Sequence, residues 1–435
     1  MVTDRRHGRT VPHRQAVPSR PPADGWTGWT DRTALAAVTD ALGLRVAYEI
    51  LDGGSPARVY RATSPDGDDL ALKVLVPAPG AVDGHDLVSF RRKADQVELL
   101  RTAAPRLAAR YLPVLHTVDG DGWSACTTPF FDSVDLAAPL RESPPGTREF
   151  FERYTAFTRA LVLDGYAAQS HPAPAGYLAE TVVGRFLRRL PVLRGALPAD
   201  LVAAGRITVN GVPCEPPHLV LERLAGPLAD RLALLAPTRL MAPAHGDANT
   251  RNVLFSARPG AAADDFRLID PRGSTGPWDP VYDLAKTLFS LTVWDPALRL
   301  GFSVRRSPPR GGRVTYEVGF REPALPGYRA AVHRFLPHLA SSEGLRGLFR
   351  RDPGWLQRLL LTHALHVLAE APCRLSDRKP KPDRSGRDSS PAELALGHYL
   401  LGTLLVNDLA GQLGRTGRVD AGSHLALVTD RLPGG

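Results

Sequence analysis

Between residues 46 and 76 the chain runs in short apolar stretches cut by turn residues. Val46-Ala47-Tyr48-Glu49-Ile50-Leu51 leads into Asp52-Gly53-Gly54-Ser55, and Val59-Tyr60-Arg61-Ala62 follows. A polar turn, Ser64-Pro65-Asp66-Gly67-Asp68-Asp69, precedes Leu70-Ala71-Leu72-Lys73-Val74-Leu75. This predicts three strands joined by tight turns. From Asp86 to Leu100 the spacing changes: Val88, Phe90, Ala94, Val97 and Leu100 recur as on one face of a helix. Two more apolar runs, Tyr111–Val118 and Gly122–Phe131, flank Asp119-Gly120-Asp121-Gly122, a hairpin signal. They complete a five-stranded antiparallel sheet, with Pro129–Asp132 as a hinge after it. Residues 146–235 are helical in pattern, interrupted by a hairpin at 206–221. Its Asn210-Gly211 pair sits between β-branched residues and signals a type I′ turn. Helices return towards the C-terminus. Asp377–Pro391, rich in Lys, Arg, Pro and Ser, shows no apolar period and reads as a mobile loop. The expectation is an α+β chain of two lobes, a small antiparallel sheet lobe over 31–131 and a larger, mainly helical lobe over 132–435.

Composition narrows the classes. The 435 residues suffice for two or three lobes around a well-buried core. Residues 1–30 are rich in Arg, Pro and Gly without an apolar segment, so they read as a disordered basic tail rather than a signal peptide. No apolar run is long enough to span a bilayer. Three cysteines, Cys126, Cys214 and Cys373, lie far apart with no C-x-x-C pair, which argues against a zinc site or disulfide framework and fits a reducing cytoplasm. A net charge of +9 raises nucleic acid as a partner. Much of the excess, however, lies in the tail and in dispersed arginines, with no basic run interleaved with aromatics. The hairpin around Asn210 is read as a surface hairpin near the substrate side, with RNA binding a minor reading.

The chemistry concentrates in residues 241–290. His245-Gly246-Asp247-Ala248-Asn249-Thr250-Arg251-Asn252 is followed by Leu268-Ile269-Asp270-Pro271-Arg272-Gly273. Asp247 and Asn252, five apart, let a short loop aim a carboxylate at a substrate hydroxyl and an amide at a metal ion. Asp270 follows an apolar pair, as at a strand end, and supplies a second oxygen ligand. Mg²⁺ takes only one or two hard oxygen ligands from protein, the rest coming from phosphates and water. Phosphoryl transfer asks for positioning, charge neutralisation and an oriented nucleophile, and this set supplies all three. Asp279, before Pro280, suits a helix N-cap, and Asp283 on the same helix face would brace the catalytic loop.

These motifs, with Asp279-Pro280-Val281-Tyr282-Asp283-Leu284-Ala285, resemble the aminoglycoside phosphotransferase and choline-kinase branch of the protein kinase-like superfamily. The resemblance implies a bilobal protein kinase-like fold. It also implies an enzyme that uses Mg²⁺ and ATP or GTP to phosphorylate a hydroxyl of a small molecule. Asp247 would be the catalytic base, and Asn252 and Asp270 the metal ligands. Lys73 resembles the phosphate-contacting lysine. Gly53, Gly54 and Ser55 would approach the donor phosphates, and the backbone around Phe130 and Phe131 the nucleobase. A carboxylate should hold Lys73: Glu98 first, Asp95 second, unless both merely balance Arg91-Arg92-Lys93. Residues 321–435 hold 16 Lys/Arg against 11 Asp/Glu, a balance that would repel a polycationic acceptor. A neutral or anionic sugar, nucleoside, antibiotic or other natural product fits better. Arg272 would meet an anionic acceptor or the transferring phosphate, or else pair with Asp279 or the loop backbone. Two other classes remain: a non-catalytic pseudokinase-type binding protein, and a nucleic-acid-binding protein.

Overall fold

The computed structural model describes residues 29–50, 56–167, 170–241, 244–310, 313–323, 325–377 and 382–429. The tail over 1–28 and the turn with Gly53, Gly54 and Ser55 lie outside them. Five strands form one antiparallel sheet in the order β1-β2-β3-β5-β4. Their ranges are β1 Arg45–Ile50, β2 Arg58–Thr63, β3 Asp69–Leu75, β4 His116–Gly120 and β5 Trp123–Pro129. Successive side chains of a strand point to opposite faces. On β3, Leu70, Leu72 and Val74 are buried on one side, and Leu72 and Val74 pack with Tyr60, Ala62, Trp123 and Ala125 under helix α1 (Trp29–Leu42). Lys73 therefore faces the other way. Its immediate neighbours in sequence are apolar because they serve a different face of the sheet.

Helix α2 (Leu87–Ala103) covers the second face, and its Phe90 packs on Leu75 and Ala57. The side chain of Asp86 caps it by accepting from the Ser89 N–H at 2.7 Å. Its buried stripe is Phe90, Gln96, Val97 and Leu100, while Val88, expected on the apolar face, is exposed.

The second lobe is mainly helical, giving the bilobal α+β architecture. Its centre is a pair of long helices, Trp355–Arg374 and Pro391–Thr416, each with most of its residues buried. The second starts with a reciprocal cap between Ser390 and Glu393 and ends at Gly417 in the left-handed conformation. A three-stranded antiparallel sheet of Ser133–Asp135, Val253–Ser256 and Phe266–Leu268 has its central strand directly after the segment His245–Asn252. The hairpin at Asn210-Gly211 has positive φ at both turn residues, as a type I′ turn requires. It is not a free surface hairpin. Ile207–Val209 pairs in parallel with the strand Arg313–Phe320, and Ile207 and Val209 are buried. In the expected loop over 377–391, Asp383 accepts from the Ser385 and Arg387 N–H groups and pairs with Arg321 at 3.0 Å. No helix among the described residues is long and apolar enough to cross a membrane.

Candidate active site

The two lobes enclose a cavity of about 630 Å³ lined by residues from both. Its floor is the segment His245–Asn252, which has no regular structure until a short turn at Thr250–Asn252. Such a segment needs partners for its backbone donors. Asp283, on the helix Val281–Phe289, provides them: its carboxylate accepts from the N–H groups of His245 and Gly246 at 2.9 and 2.8 Å. Tyr166 Oη donates to the same carboxylate at 2.5 Å. Burial raises the pKa of Asp283, and these three donors oppose the rise. One and two turns further along, Thr287 donates its hydroxyl to the Ala248 carbonyl at 2.9 Å and Ser290 Oγ accepts from the Thr250 N–H at 3.1 Å. Gly246 has φ of +74°, and a Cβ there would stand 2.8 Å from the Arg272 side chain, so only glycine fits.

Asp247 points into the cavity from this brace. Its backbone N–H donates to His245 Nδ1 at 3.2 Å, and His245 Nε2 lies 3.0 Å from the Ile269 carbonyl. Burial lowers the pKa of His245, which favours the neutral ring. Asn252 donates its Nδ2 twice to Asp247, to the carbonyl at 2.8 Å and to Oδ2 at 3.1 Å. The planar amide thus turns its oxygen to the opposite side. Lys286, one helical turn after Asp283 and Tyr282, approaches Asp247 Oδ1 at 3.1 Å and Glu370 at 4.0 Å. Burial would depress this ammonium, but Asp247 and Glu370 outweigh it and raise its pKa.

Asp270 adopts φ of +57°, a left-handed backbone uncommon outside glycine. It presents both carboxylate oxygens to cations: Lys73 at 2.6 Å on one and Lys93 on the other. Burial would raise its carboxyl, but the two lysines hold it far below the usual carboxylate range. Burial draws the Lys73 ammonium down, Asp270 opposes this and Lys93 adds to it. The carboxylate partner of Lys73 is therefore Asp270. Glu98 is exposed and pairs with Arg101 at 2.5 Å, and Asp95 is exposed. The reason is register. Starting from Phe90, the inward face of α2 runs through Lys93, Gln96, Val97 and Leu100, which turns Glu98 to solvent.

Gln96 shows what that face does instead. Its amide donates to the Ala244 carbonyl at 2.6 Å and accepts from the Gly273 and Ser274 N–H groups at 2.7 and 2.9 Å. A buried amide thus ties α2 to the start of the His245 segment and to the turn after Asp270. Gly273 permits this approach, since a Cβ there would meet the Ser89 carbonyl oxygen at 2.4 Å. Phe130 and Phe131 line the hinge side of the cavity, under Arg61 and Arg267 respectively. Arg272 does not reach Asp279; it pairs with Asp83 at 2.9 Å. Asp279 accepts from the Val281 N–H at 3.0 Å, a capping contact, and is buried against Arg358 at 2.5 Å.

Sequence reasoning missed Lys93, Gln96, Lys286 and the carboxylate of Asp83. For Lys93 a signal existed, because it lies three residues after Phe90 and four before Val97. Lys286 likewise follows Tyr282 and Asp283 at helical spacing. For Asp83 no local signal exists, since its partners come from residues 185, 189 and 272.

No family model matches the chain, and no curated protein matches it. Among solved structures it is similar to a proposed fructosamine-3-kinase from Thermobifida fusca, at 20% identity over 83% of this chain and 97% of that one, with a TM-score of 0.38. It is similar to an aminoglycoside-3'-phosphotransferase of type VIII, at 17% identity over 74% of this chain and 98% of that one, with a TM-score of 0.42. An amicoumacin kinase in complex with AMP-PNP, Ca²⁺ and its ligand matches at 12% identity over 88% of this chain and 96% of that one, with a TM-score of 0.42.

Proposed function

We propose that the protein is a Mg²⁺- and nucleotide-dependent O-phosphotransferase, moving the γ-phosphoryl group of ATP or GTP to a hydroxyl of a small molecule. The observation that carries this reading is the convergence of Asp247, Asn252, Asp270 and Lys73 on one cavity from a braced loop, a strand end and the facing sheet. Nucleobase and ribose would enter from the hinge at Phe130 and Phe131. Lys73 and Lys93 would exchange Asp270 for donor phosphate oxygens. The Gly53-Gly54-Ser55 turn, expected to contact the donor phosphates, lies outside the described residues.

The donor set fits a hard divalent ion. Asp270 and the amide oxygen of Asn252 would hold it, and the two ammonium groups now on Asp270 mark that carboxylate as a cation site. When bound, Mg²⁺ supplies charge neutralisation at the phosphate oxygens. Asp247 orients the acceptor hydroxyl and accepts its proton, while Lys286 holds one of its carboxylate oxygens in place. The acceptor end carries Lys286, Arg272 and Arg374 beside Glu370, which supports a neutral or anionic small molecule over a polycation.

Nucleotide should raise the melting temperature clearly in the presence of Mg²⁺ and only weakly with EDTA, because ion and phosphates bind jointly. The Mg²⁺-dependent part should vanish in Asp270→Ala. An equal shift with EDTA, unchanged in that variant, would remove Asp270 as a metal ligand. A protein that binds Mg²⁺-nucleotide and transfers nothing to any hydroxylated acceptor would instead be a pseudokinase-type binding protein.

A further inference from the structure

Three arginines converge on one carboxylate at the rim of this cavity. Asp83 lies in the segment 76–86, between β3 and α2, which forms neither helix nor strand. Its Oδ1 accepts from Arg189 Nε at 2.6 Å, and its Oδ2 lies 2.9 Å from Arg272 Nη2 and 3.3 Å from Arg185 Nε. Arg189 and Arg272 also donate to the Asp83 carbonyl, at 2.6 and 3.2 Å.

The burial is unequal. The arginine side chains are 13, 5 and 15% exposed for Arg185, Arg189 and Arg272, whereas the carboxylate they share is 56% exposed. Arginines desolvated to this degree need anionic partners. One carboxylate against three guanidinium groups leaves two positive charges uncompensated within the cluster. Polar atoms are also left over: among the described residues Arg185 Nε makes no hydrogen bond, nor does buried Nδ1 of the neighbouring His85, which lines the cavity.

The cluster adjoins the chemistry. Arg272 packs its Cβ against Gly246 and donates its backbone N–H to the His245 carbonyl at 2.9 Å. Arg185 donates to Tyr282 Oη, one turn from Lys286. A planar fork of guanidinium donors matches a phosphate or carboxylate better than it matches a hydroxyl.

We propose that Arg185, Arg189 and Arg272 form an oxyanion subsite for the acceptor, and that Asp83 occupies it as an internal stand-in until a phosphate or carboxylate group of the acceptor displaces it. The acceptor is then a hydroxylated small molecule that carries its own anionic group. That identification as an acceptor rests on the phosphotransfer reading; the anion site itself does not.

The test is a calorimetric titration of the nucleotide-free protein with inorganic phosphate and, separately, with succinate. Wild type, Asp83→Asn and the double variant Asp83→Asn/Arg272→Gln are compared, with circular dichroism as the check on folding. Removing the internal competitor should tighten binding of the matching anion about tenfold, the size of one charge-assisted hydrogen bond. The added Arg272→Gln change should abolish that gain. Tightening for phosphate alone assigns a phosphate group, and for succinate alone a carboxylate. No tightening for either anion overturns the proposal, and so does tightening that survives Arg272→Gln, which would put the anion elsewhere, as at Lys73 and Lys93. Asp83→Ser reads the same equilibrium if the amide disturbs the loop. A protein that binds the anion as expected yet transfers no phosphoryl group would retire the phosphotransfer reading and leave the subsite standing.

Discussion

The two ends of the cavity handle charge in opposite ways. At the end facing the sheet, one buried carboxylate, Asp270, holds two ammonium groups, and all three come from different elements. At the other end, each charge is shared along a chain: Asp247 to Lys286, Lys286 to Glu370, and Glu370 to Arg374 at 2.9 Å. The first arrangement suits exchange of partners, because a polyphosphate and its metal ion can take over the lysines and the carboxylate together. The second suits fixed geometry, because no member moves without leaving a buried charge unpaired. Under the proposed function, donor binding is therefore expected to rearrange its end, and acceptor binding to meet a wall already in place. Only Asp83, half exposed and on a loop, breaks that pattern at the acceptor end.

The largest effect should come from Asp283→Ala, which touches the floor common to both ends. Two backbone N–H groups and the Tyr166 hydroxyl would lose their acceptor in a buried site. The loss should be roughly 3–5 kcal/mol of stability, read by urea unfolding. A loss under about 1 kcal/mol would mean that the loop is held by something else.

Acid should separate the ends next. Behind the acceptor wall lie His363, His366 and His398, all driven below their ordinary range mainly by burial, His398 to about 4. A folded value below the unfolded one means that the unfolded chain takes the proton first. The stability is then complete above about pH 6.5 and is lost as pH falls towards 4, by about 3 kcal/mol for His398 alone. Hydrogen exchange should show the helices Trp355–Arg374 and Pro391–Thr416 opening before the sheet. A stability profile flat from pH 7 to 4.5 would contradict this.

A smaller effect sharpens the donor end. Lys93→Met should weaken nucleotide binding about tenfold, as loss of one charge-assisted contact does. Glu98→Ala, which breaks only an exposed pair with Arg101, should change stability by less than about 1 kcal/mol and nucleotide affinity not at all. Equal effects from the two would restore Glu98 as the residue that matters.

These contrasts track what a sequence can carry. The sheet was legible because turn residues and short apolar runs are local signals, and each strand pairs with a neighbour close in the chain, apart from β3 with β5. The loop from His245 and the strand end at Asp270 were legible as motifs. The face of α2 was not, because Val88 was counted into its apolar stripe and the register slipped, hiding Lys93 within Arg91-Arg92-Lys93. The arginine cluster on Asp83 could not be read at all, since its members stand up to 189 residues apart. Long-range charge pairing leaves no local period.

The most direct measurement is product mass spectrometry after incubation with Mg²⁺-nucleotide and a panel of hydroxylated metabolites, neutral and anionic, for wild type and Asp247→Asn. The expected result is a phosphorylated product from an acceptor in the panel, with turnover lower by about 10²–10⁴ in the variant, the usual contribution of a positioned base, and nucleotide affinity unchanged. Turnover of that acceptor at the wild-type rate by Asp247→Asn would contradict the account.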